Sequence, residues 1–256
     1  MNMEKNSVFL TGATGLLGTC FLENFLSQGY QVIFTTTSDK KLENFFDRYK
    51  TFRDDGKLYG CRADLLADDA IETIKNFLDA NNLNPHYLVN NARSLEFVKV
   101  NDFRKIDKEK WIGEYLLDVV VPYNLTIFFS ELKDIRLKSV VNITSMYGML
   151  AYNDYLCEGA KSIAINYGTS KAALIQLTRE LAVRLAPLGI RVNCISYGGV
   201  SGRADEQFQN RYAKLCPSKQ MLSQKDVAGH VLYLCSEASS GMTGNNLVVD
   251  GGFSIW

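Results

Sequence analysis

Short apolar runs alternate along the chain with longer segments in which apolar residues recur at helical spacing. The short runs predict seven strands, at 7–12, 31–36, 58–64, 87–92, 139–145, 190–196 and 246–252. The longer segments predict seven helices, at 16–28, 39–52, 67–81, 108–132, 166–186, 204–214 and 224–236. This alternation predicts an α/β fold with a doubly wound, mostly parallel seven-stranded sheet. No linker or repeat interrupts the pattern, so we expect a single domain over residues 1–256.

The composition narrows the classes of partner. Hydrophobic residues make up 46% of the 256 residues, which is enough for a sizeable core. Basic and acidic residues each number 28 and no basic tract stands out, so we expect no nucleic-acid partner. The N-terminus has no signal-peptide pattern, and no uninterrupted run of about 18 apolar residues is found. We therefore expect a cytoplasmic protein that does not enter a membrane.

Cysteine and histidine supply little chemistry. The six cysteines are scattered without a C-x-x-C pair, which favours free thiols. The two histidines, His86 and His230, are far apart, so we expect neither a metal site nor a serine–histidine hydrolase.

A glycine-rich turn, "TGATGLLG", follows the first predicted strand and opens the first helix. Glycines at positions 12, 15 and 18 permit a tight turn and let backbone N–H groups approach a pyrophosphate at a helix N-terminus. In an alternating strand–helix pattern, this turn predicts a dinucleotide site at the carboxyl ends of the first strands.

The end of the second predicted strand bears on the choice of cofactor. Thr36 stands near the position where many NAD-binding domains carry an acid for the ribose 2′-hydroxyl. Ser38, Lys40 and Lys41 follow, and a hydroxyl with lysines favours the 2′-phosphate of NADP. Asp39 could instead reach a ribose, so NAD stays possible.

Tyr167 stands four residues before Lys171 in "NYGTSKAAL", which places both side chains on one face of a helix. An ammonium beside a phenol favours the phenolate, giving a group that exchanges protons near neutral pH. Such a group suits interconversion of an alcohol and a ketone, with hydride passing to or from a nicotinamide.

Seven ordered motifs together resemble the short-chain dehydrogenase/reductase family over nearly the whole chain: "TGATGLLG", "RADL", "NNA", "NITS", "YGTSK", "IRVN" and "VDGG". The resemblance implies a Rossmann fold and an NAD(P)-dependent oxidoreductase. It implies that Ser145 hydrogen-bonds the substrate oxygen, that Tyr167 is the acid/base, and that Lys171 holds the nicotinamide ribose. The cofactor residues implied along the strand ends are Gly12, Thr14, Gly15, Leu17, Gly18, Thr36, Ser38, Asp64, Leu65, Asn91, Ala92, Tyr167, Lys171 and Val200.

The sequence departs from the family pattern at four places. The glycine turn has its middle glycine one position early, a spacing similar to the longer sugar-nucleotide branch. Arg93 replaces the glycine of "NNAG", and Tyr197 replaces the proline of a "PG" motif. Asp118 replaces the asparagine that often completes a catalytic tetrad. In the family that position shapes a helix kink and a water-linked proton path, and an aspartate could still do so.

The segment between Ser145 and Tyr167 has 21 residues, against about a dozen in short family members. We expect it to line the substrate pocket, since it begins and ends at predicted catalytic residues. Its polar members favour a sugar derivative as substrate: Asn153, Asp154, Tyr155, Glu158 and Lys161. This segment, "ITSMYG" and the ending "VVDGGFSIW" are similar to oxidoreductases of bacterial surface-sugar and flagellin modification.

Two other functions stay open from the sequence. One is a 3-oxoacyl thioester reductase, which the "TTTS" segment mildly supports. The other is a catalytically silent dinucleotide-binding regulator, against which the complete set of Ser145, Tyr167 and Lys171 argues.

The last expectations concern a lid and assembly. Residues 201–216 follow the sixth strand, where the resemblance implies a substrate-covering helix pair, and they mix charges with Phe208 and Tyr212 without a strong core stripe. We expect this segment to be a substrate lid whose Arg203 or Arg211 meets an anionic group. The helices near 108–132 and 166–186 are apolar beyond one face, and the tail ends in "FSIW". In the family these two helices form one two-fold interface and the C-terminal strand and tail form another, so the resemblance implies a homotetramer in which the tail packs on a neighbouring subunit. A dimer built only on the helical interface is the alternative.

Overall fold

The computed structural model describes residues 6–101, 105–157 and 164–256, and it contains the predicted sheet. The strands are β1 (Ser7–Leu10), β2 (Gln31–Thr36), β3 (Leu58–Arg62), β4 (Tyr87–Asn90), β5 (Ser139–Ser145), β6 (Arg191–Tyr197) and β7 (Asn246–Val249). They form one sheet in the order β3–β2–β1–β4–β5–β6–β7, and every pairing is parallel. The seven-stranded doubly wound sheet is therefore confirmed.

Helices connect the strands. They are α1 (Leu16–Ser27), α2 (Asp39–Arg48), α3 (Lys50–Asp54), α4 (Ala70–Ala80), α5 (Lys108–Tyr115), α6 (Val121–Ser130), α7 (Asp154–Cys157), α8 (Ile165–Leu185), α9 (Glu206–Leu215) and α10 (Gln224–Leu234). A capping box opens α10: the Ser223 backbone N–H donates to the Asp226 carboxylate at 2.7 Å.

The sheet is buried on both faces, and the side chains of neighbouring residues in one strand point to opposite faces. Val8 and Leu10 belong to the core that α1 and α10 close, while Phe9 belongs to the core that α4, α6 and α8 close. All three side chains have no exposed surface. Strands covered in this way consist of continuous apolar runs, which explains why the strands were readable from the sequence.

Two helices differ from their predicted form. The segment predicted as one helix at 39–52 is two helices, with the break at Tyr49. The long helix predicted at 108–132 ends at Ser130, and one π-helical turn, Leu116–Val120, separates α5 from α6. A π turn inserts an extra residue into a helix and is frequent at functional sites. Asp118 lies in the middle of this turn.

A third, smaller core lies beyond the carboxyl edge of the sheet. We call it the satellite cluster; its buried members are Met146, Leu156, Tyr212, Cys216 and Phe253. The cluster joins the segment after β5, the predicted lid and the C-terminal tail. The Tyr212 ring stacks on Phe253 at 4.8 Å, and its hydroxyl accepts from the Gly199 backbone N–H at 3.0 Å. The lid, expected without a strong core stripe, contributes Tyr212 and Cys216 to this cluster.

Apolar surface stays exposed on the long helix and at the tail. Trp111, Ile112 and Tyr115 on α5 are partly exposed, and Ile255 and Trp256 are each about three-quarters exposed. By length and composition, Lys108–Ser130 is the one described helix that could cross a membrane, but 56% of its most apolar window is buried in the fold. Core helices of soluble proteins can be as long and as apolar as this one.

Candidate active site

The predicted site residues meet at one edge of the sheet. Parallel strands end on the same side, and the strand order reverses between β1 and β4. In open α/β sheets, ligands bind outside the carboxyl ends of the strands at such a reversal. The predicted cofactor residues follow the ends of β1, β2, β3, β4 and β6, and the Tyr–Lys pair lies on α8 beside the end of β5.

The glycine turn leaves space that side chains would fill. Gly12 has φ +66°, and a Cβ there would lie 2.8 Å from the Ala92 Cα. A Cβ on Gly18 would collide with the carbonyl oxygen of Gly12. Gly15 caps α1 without a side chain, and the first turn of α1 holds no acid. The N–H groups at this helix start therefore face a cradle that suits a pyrophosphate, so the residues fit a dinucleotide.

The end of β4 fixes the position of that turn. The Thr11 hydroxyl accepts from the backbone N–H groups of Asn91 and Ala92, both at 2.9 Å. The Asn91 side chain in turn donates to the Thr11 and Gly12 carbonyls at 3.0 and 3.1 Å. Asn91 and Ala92 thus hold the cofactor turn, and Thr14 and Leu17 are half-buried within it.

The ends of β2 and β3 form the far side of the cradle. Thr36 is buried, and Ser38 caps α2 by accepting from the Lys41 N–H at 3.3 Å. Asp64 is exposed and accepts from the Leu66 N–H at 3.0 Å, with Leu65 half-buried beside it.

Arg62 is a basic residue at this corner that the sequence analysis did not single out. It pairs with Thr36 in the β2–β3 register, and its Nε lies 3.1 Å from a carboxylate oxygen of Asp39. Both side chains are exposed. The Asp39 that could have reached a ribose is thus engaged with a cation.

Tyr167 and Lys171 occupy the first two turns of α8, as predicted. Gly168 permits close packing here, because a Cβ on it would lie 2.9 Å from the Tyr147 carbonyl oxygen. The Thr144 hydroxyl donates to the Lys171 carbonyl at 3.1 Å. These contacts bring the end of β5, with Ser145, against the turn of α8 that carries the Tyr–Lys pair.

Lys171 is buried and paired. Its Nζ lies 3.0 Å from Asp118 Oδ1 and donates to the Ile143 carbonyl at 3.1 Å. Ser170 donates to the other Asp118 oxygen at 2.8 Å. The π turn thus positions Asp118 for direct contact with the lysine.

Glu114 is a second carboxyl at this place, which the sequence analysis missed. It lies four residues before Asp118, is 1% exposed, and neither oxygen has a hydrogen-bond partner among the described residues. Burial, followed by the nearby Asp118 carboxylate, raises the pKa of Glu114 to about 7. The spacing Glu-x-x-x-Asp on one helix was the signal that could have revealed it.

Arg93 lies against Tyr167 on the solvent side. Its guanidinium carbon is 4.4 Å from the centroid of the Tyr167 ring, a cation–π contact, and Lys171 Nζ is 5.7 Å from the same centroid. The departure of "NNAR" from the family pattern therefore places a cation on the predicted acid/base.

The segment after Ser145 is partly described. Ser145 is buried and accepts from the Tyr147 N–H at 3.2 Å, and the Tyr147 and Tyr152 rings stack at 3.9 Å. Asn153, which caps α7, is exposed with its neighbours Asp154 and Tyr155. Glu158 and Lys161 lie outside the described residues.

Further contacts are made at the end of β6 and in the predicted lid. Val200 forms a bridge with Leu222, and Arg211 Nε donates to the Leu156 carbonyl at 3.1 Å. Tyr197 is 3% exposed and donates to the Val227 carbonyl at 2.6 Å, within the core between α1 and α10. The Tyr197 ring, at the position of the motif proline, therefore packs into this core.

No group of three or more potential metal-ligating side chains is found in the described part of the chain. The five cysteines whose side chains are described are free thiols. Burial raises the pKa of Cys61 and of Cys194 to about 11, which keeps both in the unreactive thiol form.

Comparison with known proteins identifies the family to which the chain belongs. The family profile described as enoyl-(acyl carrier protein) reductase matches residues 13–254. The 3-oxoacyl-(acyl-carrier-protein) reductase FabG of Aquifex aeolicus is 29% identical, over 98% of each chain. The NADH-dependent L-xylulose reductase of Ambrosiozyma monospora is 29% identical, over 99% of this chain and 96% of its own.

A match over part of the chain and a solved structure show further similarity to oxidoreductases and related proteins. The post-translational flagellin modification protein A of Campylobacter coli is 33% identical over 119 residues, 46% of each chain. A short-chain dehydrogenase from Leptospira borgpetersenii, solved with bound NAD+, has a TM-score of 0.84 at 27% identity, with 98% of this chain and 94% of that one covered. The chain belongs to the short-chain dehydrogenase/reductase family and is an oxidoreductase dependent on a nicotinamide dinucleotide.

Proposed function

We propose that this enzyme interconverts a secondary alcohol and a ketone on a polyhydroxylated sugar derivative, with NADP(H) as the preferred cofactor. The observation that carries the proposal is the Tyr167–Lys171 turn, held beside Ser145 and backed by the buried Asp118 carboxylate.

The roles of the residues follow from their chemistry. The cofactor, when bound, supplies or accepts the hydride. Tyr167 gives its phenolic proton to the carbonyl oxygen in reduction and takes the hydroxyl proton in oxidation. Ser145 hydrogen-bonds the same oxygen and orients it. Lys171 uses two N–H groups on Asp118 and Ile143, and we assign the third to the ribose hydroxyl of the cofactor.

A sugar substrate is supported by the surface near the site. The described polar residues of the insertion, Asn153, Asp154 and Tyr155, are exposed, and α7 packs on the lid helix α9 through Leu156. The full-length similarity to an L-xylulose reductase and the partial similarity to a flagellin modification protein favour the same substrate class.

The preference for NADP(H) is supported by charge at the β2–β3 corner. Thr36 brings no negative charge there, and three basic residues, Lys40, Lys41 and Arg62, are exposed nearby. Arg62 is shared with Asp39 in an exposed ion pair that can open, so a 2′-phosphate would gain a charge-assisted bond from Arg62. Calorimetric titration with NADPH and NADH tests the preference, and selective loss of NADPH affinity in Arg62→Met would identify the residue responsible.

Reduction of a 3-oxoacyl thioester is the second candidate. It is favoured by the similarity to FabG, which extends over 98% of both chains. A cofactor-dependent absorbance assay across sugars, sugar phosphates, sugar acids, sugar nucleotides and acyl thioesters separates the two. Turnover confined to acyl thioesters would replace the sugar assignment, and turnover of none would favour the silent regulator.

We also propose a homotetramer. The exposed apolar residues of α5 and the tail, with Ile165 and Val183 on α8, are surface that two-fold packing would cover.

A further inference from the structure

The cation closest to the proposed acid/base comes from the loop after β4. The Arg93 guanidinium lies 4.4 Å from the Tyr167 ring centroid, and the side chain is exposed. It forms no hydrogen bond or ion pair with any residue that the structure describes. An arginine that is held at a site and makes no ion pair is available to bind an anion.

The charges around Arg93 leave it without an ion-pair partner among the described residues. Lys171, the other cation near Tyr167, is paired with Asp118 at 3.0 Å. Glu114 is the remaining carboxyl of this cluster: burial and the Asp118 carboxylate raise its pKa to about 7, against the Lys171 and Arg93 charges that lower it, so Glu114 is only partly ionised near neutral pH. At neutral pH and below, the mouth of the site therefore carries a net positive charge, and Arg93 is the cation there that makes no ion pair with the described residues.

We propose that Arg93 binds a carboxylate or phosphate group that the substrate carries close to the carbon that reacts. This inference rests on the proposed function and narrows its substrate class to anionic sugar derivatives, such as sugar acids and sugar phosphates. The planar guanidinium offers paired N–H donors that match both groups, and its stacking on the Tyr167 ring keeps the bound anion near the reacting oxygen.

The lid arginines are the competing anion sites. Arg211 already donates through Nε to the Leu156 carbonyl, which ties it to α7. Arg203 is exposed in the loop after β6 and was one of the two predicted anion ligands. Substitution of Arg203 therefore belongs in the same experiment.

The test measures binding rather than turnover. The full-length enzyme is saturated with NADH or NADPH, whichever binds more tightly, and titrated by calorimetry with three six-carbon polyols. D-gluconate carries a carboxylate, D-glucitol 6-phosphate carries a phosphate, and D-glucitol is neutral. Reduced cofactor with an alcohol forms a complex that cannot react, so affinities are read directly.

The variants are Arg93→Met, Arg93→Lys, Arg203→Met and Arg184→Met. Arg184 is exposed near the end of α8, about 20 Å or more along the helix from Tyr167, and serves as the matched control. Because Arg93 is exposed, we expect its replacement to leave the fold intact.

We expect at least one anionic polyol to bind about tenfold more tightly than D-glucitol, and the preferred anion identifies the group. Arg93→Met should remove that preference, Arg93→Lys should keep part of it, and the other two variants should retain it, with cofactor affinity unchanged throughout. Four outcomes would each overturn the inference. They are no preference for an anionic polyol in the wild type, a preference that survives Arg93→Met, loss of the preference in Arg203→Met instead, and weakened cofactor binding in Arg93→Met. If the binding pattern holds but none of the polyols is oxidised when NAD+ or NADP+ is supplied, the proposed reaction fails while the anion site stands.

Discussion

The two ends of the site are built by different means. At the dinucleotide end, the backbone forms the cradle: Gly12 and Gly18 leave space, and Asn91 fastens their turn to the end of β4. At the substrate end, the satellite cluster joins three segments distant in sequence around the Tyr212 ring. The first end depends on short-range geometry and the second on side-chain packing, so substitutions should separate cofactor binding from substrate binding.

The largest expected effect is at the dinucleotide end. In Gly18→Ala, the added methyl group meets the Gly12 carbonyl oxygen, so the turn must open. We expect cofactor affinity to fall about a hundredfold or more. Gly229→Ala on α10 is the control, because a Cβ there meets no atom within 4 Å. Unchanged cofactor affinity in Gly18→Ala, measured by calorimetry, would refute the cradle.

At the substrate end, Tyr212→Ala should loosen the cluster without touching the cradle. Loss of a fully buried aromatic ring costs on the order of 3 kcal/mol of unfolding free energy. We expect KM for the substrate to rise while cofactor affinity stays unchanged. Tyr212→Phe, which removes the hydroxyl that accepts from the Gly199 N–H and donates weakly to the Met146 sulfur, should cost about 1 kcal/mol. Tyr233→Ala, at a partly exposed tyrosine, is the control, and an equal loss of cofactor affinity in Tyr212→Ala would show that the two ends are not separable.

We expect the buried Glu114 to lower the stability of the fold by an amount that depends on pH. Its pKa is about 7 in the fold against 4.5 ordinarily, so the unfolded chain loses this proton first as pH rises. Raising the pH from 4.5 to about 7 therefore lowers the free energy of unfolding, and above about pH 7 this loss stays constant. Glu114→Gln should match the wild type near pH 4 and exceed it by a few kcal/mol at pH 8 in urea unfolding. Glu109→Gln, at an exposed position on α5, should show no such trend, and a stability gain from Glu114→Gln that does not change with pH would contradict the assigned protonation.

The smallest effect within the protomer is expected at the tail. Phe253 packs on Tyr212, so a cut after Gly252 would also disturb the satellite cluster. A cut after Ser254 spares Phe253 and removes the exposed Ile255 and Trp256, together with one hydrogen bond from Trp256 Nε1 to the Leu215 carbonyl at 2.9 Å. We expect light scattering to show a tetramer for the full chain and a smaller assembly for the shortened one, with the urea midpoint little changed. A monomeric full chain would end the tetramer proposal, and an unchanged tetramer after the cut would exclude the tail from the interface.

Sequence reasoning recovered the dinucleotide end because its signals are local. Buried parallel strands are continuous apolar runs, and the glycine turn follows the first of them directly. The Tyr167–Lys171 pair was readable for the same reason, since four-residue spacing on a helix fixes a shared face.

The substrate end was less readable because its contacts are distant in sequence. Tyr212 is the one buried residue of a mostly polar helix, and its partners Met146 and Phe253 lie far away in the chain. Arg93 was visible as a departure from the motif, but no local pattern places it on Tyr167. Glu114 was overlooked because a carboxyl on a helix is ordinarily solvated, whereas here the fold buries it.

Turnover by the Tyr167→Phe variant tests the central claim most directly. The substitution removes the phenolic proton and keeps the ring, including its contact with Arg93. On the best substrate of the panel, the absorbance assay should show kcat reduced by about a thousandfold or more, with cofactor affinity by calorimetry unchanged. A Tyr167→Phe enzyme that keeps near wild-type turnover would show that Tyr167 is not the acid/base and would contradict the proposed reaction.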